Sequence, residues 1–150
     1  MKTLAFIFLL SSQAMAEESA WERATYVLGA SMVYVAYDYF VFYPNQWRGG
    51  TTEEIAFRIS QVALLGALTW FLVDKFGWKT GAAFGALYLS WNFDAAYYAI
   101  AGRGSWDEVR RGKVTWARHT PAGLFESPTS ERTLKIQLGI GAIVSIAFIL

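Results

Sequence analysis

An all-α fold, an integral membrane bundle of four transmembrane helices behind an N-terminal signal peptide, follows from three features of this 150-residue chain. The composition is 55% hydrophobic and only 17% charged, whereas soluble domains carry about 45–50% apolar and about 25% charged residues. Four apolar runs, at residues 24–43, 55–73, 81–102 and 133–150, each hold roughly 20 residues, enough at a rise of about 1.5 Å to cross a hydrocarbon core of about 30 Å. None of them alternates apolar and polar residues as a barrel strand does, so helices are the structure that satisfies their backbone groups in lipid.

Each element carries local signals. Lys2, the apolar residues 4–10 and the small-x-small site Ala14-Met15-Ala16 compose a secretory signal peptide over residues 1–16, leaving residues 17–150 as a single domain. Pro44 closes the first span because it has no N–H to continue a helix. Thr51 and Glu54 form a capping box that opens the second span, and residues 74–80 read as a tight turn into the third. The loop 103–132 repeats the box at Ser105 and Glu108, which predicts a short surface helix to Arg111 that Gly112 ends. The last span has Lys135 and Gln137 near its start, so Lys135 must snorkel to the headgroups if the helix is to reach across.

Orientation follows from charge. The loop 103–132 holds Arg103, Arg110, Arg111, Lys113, Arg118 and Arg132, whereas the turn between spans two and three holds only Lys75 and Lys79. The positive-inside bias therefore places the long loop in the cytoplasm and the mature N-terminus outside an inner membrane, as the signal peptide independently requires. Trp21, Trp70 and Trp78 then fall at the external boundary and Tyr43 and Trp47 at the internal one.

Asp38 and Asp94 lie inside apolar runs, where a carboxylate costs about 2.5–3.5 kcal/mol and needs a partner, a cavity or a task. In this topology Arg58, Gln61, Asn92, Lys135 and Gln137 join them in the inner half of the bundle. One expectation is that Arg58 and Lys135 are the charge partners of the two acids, fixing helix rotation. The other is a binding site. Tyr34 stands four residues before Asp38, and Trp91 and Tyr98 stand three before and four after Asp94, so each shares a helix face with its acid. With Asn92, these side chains would line a site for a cation, a proton or an aromatic ligand through cation–π and phenol contacts. The small-xxx-small faces Gly81/Gly85 and Gly141/Ser145 are expected to pack helices within the chain.

The absence of cysteine removes disulfides, thiolate chemistry and iron–sulfur ligation, and the lone His119 removes haem with two histidine ligands and histidine-rich metal sites. No GxSxG, GxGxxG, phosphate loop or HExxH is present, so no catalytic residue, metal or cofactor is expected. A net charge of +1 supplies no field for nucleic acid; the basic residues of the loop, interleaved with Trp106 and Trp116, suit an anionic leaflet. The chain is expected to be a small polytopic membrane protein, foremost a non-enzymatic accessory or structural subunit of a larger complex, with the lipid bilayer and other membrane subunits or its own copies as partners. The alternatives are an embedded binding or transport module that uses Asp94 and Asp38, and an intramembrane enzyme that uses the same carboxylate pair.

Overall fold

The computed structural model describes residues 19–42, 51–101, 108–109, 111–112, 114 and 121–150. The residues read as a signal peptide, Tyr43, Pro44, Trp47, His119 and the Ser105 side of the second expected capping box lie outside them. The described residues form six α-helices and one π-helical turn.

Helix α1 (Ala20–Tyr37) starts before its apolar run does, because the Ser19 hydroxyl accepts the Glu22 N–H at 3.2 Å and caps the first turn. It continues as a π turn, Asp38–Phe42, where the Asp38 N–H is shared between the Tyr34 and Val35 carbonyls. Helix α2 (Thr51–Phe76) is separated from α3 (Trp78–Leu89) by Gly77 alone. The turn read over residues 74–80 shrinks to that one residue, which adopts φ 83°, a conformation free of steric cost only for glycine. The Gly77 N–H donates to the Val73 carbonyl at 2.9 Å, and the buried Thr80 hydroxyl donates to the Phe76 carbonyl at 3.2 Å. Both bonds occupy carbonyls that a helix end leaves free.

The third apolar run is two helices rather than one, α3 and α4 (Asn92–Ala101), broken at Ser90–Trp91. Ser90 turns its hydroxyl back onto the Ala86 carbonyl at 2.7 Å, and Trp91 takes φ 65°, a left-handed conformation costing about 1–2 kcal/mol for a non-glycine residue. Helix α5 (Pro121–Phe125) precedes α6 (Glu131–Ile149), which the Ser130 hydroxyl caps by accepting the Thr133 N–H at 3.3 Å.

The long helices run antiparallel. At one end of the bundle Tyr26 of α1 meets Phe71 and Phe76 of α2, Arg23 donates to the Ile149 carbonyl at 2.7 Å, and Trp78 of α3 packs edge-on against Phe148 of α6. Toward the other end Asp38 meets Gln61, and Ser90 meets Gln137. The core between them is Val27, Ala30, Tyr34, Val35, Leu72, Phe76, Ala83, Phe84 and Phe93.

Two helices, over Ile55–Phe76 and Glu131–Ile149, are long and apolar enough to cross a membrane, and only 6% and 22% of their apolar stretches are buried in the bundle. Of the four unbroken spans expected, two described helices have the length and apolar composition of one; the first run passes into the π turn after Tyr37, and the third is divided at Ser90–Trp91. The long loop also differs from expectation. Gly112, at φ 71°, donates to the Val109 carbonyl as a helix-ending glycine does, but Val109 is buried with Val114 and Leu134 instead of riding on the surface. An antiparallel bridge between Val114 and Thr129 ties this loop to the start of α6.

Candidate functional site

Each of the two irregularities of the backbone carries one of the two acids. Asp38 opens the π turn and is 2% exposed; Asp94 lies in the first turn of α4, just past the break, where the helix dipole favours a negative charge. Asp94 is within electrostatic range of both Asp38 and the Tyr34 phenol. Departures from α-helix of this kind concentrate at functional positions, since they re-aim side chains and free backbone groups.

The charge partners are elsewhere. Asp38 accepts a hydrogen bond from Gln61 Nε2 at 2.8 Å, while the Arg58 guanidinium lies 5.7 Å from the centre of the Phe42 ring, a cation–π distance. Lys135 pairs with Glu131 one turn back on α6, and its side chain is 69% exposed. The expected pairs Asp38–Arg58 and Asp94–Lys135 are therefore not formed. The physical reason is that carrying a lysine or arginine into the bundle costs several kcal/mol per ion, whereas an exposed partner and a ring face cost little. One residue before Asp38, the Tyr37 hydroxyl is hydrogen-bonded to Ser60, which donates to the Phe57 carbonyl at 2.7 Å, so two successive polar contacts fix α1 against α2.

The predicted aromatic lining divides. Tyr34 is buried, its ring 5.7 Å from Tyr88 edge-on and 5.3 Å from Phe93. Tyr98 sits one turn after Asp94 on α4, its ring 5.1 Å from Tyr97, which in turn lies 5.9 Å from Tyr39. Trp91 precedes α4 in a left-handed conformation, so its spacing of three from Asp94 is not a shared helix face. Asn92 faces α6 instead: its amide donates to Ser90 Oγ at 2.7 Å and to the Leu138 carbonyl at 3.2 Å.

Sequence reading placed Gln61 and Gln137 only as polar residues at similar depth, and their roles emerge from packing. Gln137 donates to the Ser90 carbonyl at 3.1 Å and accepts the Ala122 N–H at 2.6 Å, and a Cβ at Gly141 would overlap the Ser90 side chain. The break in α3–α4 is thus satisfied by α6, as buried irregular backbone requires. Tyr88 and Ser90 carried no signal beyond residue type.

Among the described residues no three metal-ligating side chains gather. What the site offers is two carboxylates, a phenol and an amide, in a wall of rings that pack on one another. No protein-family model matches the chain, and no curated protein or solved structure matches it.

Proposed function

We propose that the chain is a small multi-pass protein of the inner membrane, its N-terminus external, that holds a proton or small cation between Asp38 and Asp94. The observation that carries this reading is the Asp38 environment: a buried carboxylate bonded to a neutral amide, with a second carboxylate in electrostatic range and no cationic side chain touching it among the described residues. A buried carboxylate such as Asp38, with a second acid nearby, is relieved by a proton or a small bound cation. The rings beside them fill one another's space, which favours a small cation or proton over an aromatic ligand. Broken helices at membrane depth are also the usual carriers of such sites. In this reading all four apolar runs cross, the third as α3 followed by α4.

The test uses Asp38→Asn and Asp94→Asn in purified protein reconstituted into liposomes. An Asn at 38 still offers Gln61 an oxygen, so the fold is kept while the charge is lost. The expected result is loss of proton or cation uptake with unchanged or raised melting temperature. If both variants unfold and the wild type takes up neither, the acids are structural and the proposal fails.

A second reading, an accessory subunit of a larger membrane complex or a homo-oligomer, is favoured by Gly29 and Gly66, which are exposed on α1 and α2 with open space where a Cβ would be. Such positions let another helix approach closely. Co-purification of larger partners that Gly66→Leu abolishes is its test.

A further inference from the structure

We infer that Gln61 sets what the Asp38–Asp94 site holds, turning away metal cations and reserving Asp38 for a proton; the inference narrows the proposed function and rests on it. Gln61 lies on α2 and is carried to Asp38 by the register of α2 against α1: Tyr37 meets Ser60 and Asp38 meets Gln61, successive residues on both helices. Arg58, three residues earlier, is turned to the Phe42 ring. A neutral amide therefore faces the acid, where a guanidinium would have compensated its charge permanently. Among the described residues, the titratable side chains around this contact are Tyr34 on α1, Tyr88 on α3 and Asp94 on α4.

The direction of the amide decides the occupant. Gln61 Nε2 donates to Asp38 Oδ1 at 2.8 Å, so the positive end of the amide dipole points at the carboxylate, and a metal ion on that oxygen would meet it at close range. A proton meets no such opposition. It forms an O–H bond at Oδ2, coming from water and returning to it, while Oδ1 becomes the carbonyl oxygen of the acid and keeps its bond to Gln61, since a protonated carboxyl still accepts. The donor set agrees. A hard cation such as calcium takes about six to eight oxygens; two carboxylates fall short of that even with both oxygens of each, and no third metal-ligating side chain gathers with them among the described residues. Rings fill the space that a hydration shell would need: Phe93 lies 5.3 Å from Tyr34 and 5.2 Å from Phe84, centre to centre, and all three are buried.

The experiment records infrared spectra of the full chain in liposomes at neutral pH, before and after sodium or calcium is added. The expected spectrum carries a carboxylic-acid C=O band that Asp38→Asn removes and that neither ion displaces. Gln61→Glu keeps the size of the side chain and exchanges a donor for acceptors. It is expected to bind calcium at least roughly tenfold more tightly than the wild type does, a gain within reach of one unit charge placed beside the pair, and Asp38→Asn added to it is expected to abolish that gain. A merely structural Gln61 predicts lower stability in this variant with no gain of calcium binding, and that outcome overturns the inference. Displacement of the band by sodium or calcium in the wild type overturns it too, and requires no variant to fold; the site then holds a small cation and the proposed function stands. A wild type with neither the band nor ion binding removes the acid-pair reading along with the inference.

Discussion

Gln137 joins three pieces of chain with one side chain, donating to the carbonyl at the α3–α4 break and accepting from the first turn of α5. Replacing it with leucine keeps the volume and leaves a buried carbonyl and a buried N–H without partners, each worth about 1–3 kcal/mol. Gln137→Leu is therefore expected to lower the melting temperature in detergent by several degrees and to speed hydrogen exchange of α5. An unchanged melting temperature would show that water takes over both groups. Gly141→Val is expected to be at least as damaging, since Ser90 occupies the space its side chain needs. Neither role is visible in residue type: a glutamine and a glycine in an apolar run announce only that something polar and something close must meet them. Asp38 and Asp94 were legible as exceptions in such runs, because ionised groups in oil are rare; that Gln61 rather than Arg58 faces Asp38 was not, since helix rotation decides which neighbour arrives.

At the scale of elements, the glycine stop at Gly112 was readable and the breaks were not. The cap of α6 by Ser130, with Glu126 beside it, is a local contact that the apolar run starting at Thr133 did not announce. Hydrogen bonds from the Thr133 hydroxyl, and then from the Ser130 hydroxyl and N–H, hold the exposed Glu126 carboxyl below its ordinary range. Because the folded-state value is the lowered one, the contact stabilises the start of α6 fully above the ordinary carboxylate pKa and loses that stabilisation as pH falls through the lowered value. Hydrogen exchange at the Thr133 and Leu134 amides, corrected for intrinsic rates, is expected to accelerate below that range in the wild type and to show no such dependence in Glu126→Gln. The break at Ser90–Trp91 has no glycine or proline to mark it. It persists because Gln137 and Gly141 of α6 support it from the neighbouring helix and Asn92 donates across to the Leu138 carbonyl of α6, a tertiary override of an apolar run that reads as one continuous helix.

For the whole molecule, the exposed apolar surface bears on the proposed membrane environment. Ile59, Val62, Met32 and Ile143 are each more than 60% exposed, a surface that lipid would cover in that proposal, and Trp21, Trp70 and Trp78 are exposed near the end where α1 begins and α2 ends, where the same proposal puts an aromatic belt. The chain has no cysteine, so single introduced cysteines report sidedness directly. Lys79→Cys and Ser127→Cys, both at exposed positions, are expected to react with a membrane-impermeant maleimide from the outside only and the inside only; the reverse pattern inverts the topology, and labelling of both from one side removes it.

Composition and the lengths of the apolar runs by themselves pointed to helices, two of them of membrane-spanning length among the described residues, because long apolar runs without strand alternation satisfy their backbone groups within themselves only as helices. Which acid meets which amide, where the third run breaks and how α6 repairs it were decided by the tertiary structure. Those outcomes depend on the rotation and close approach of helices remote in sequence, which a periodic pattern does not encode.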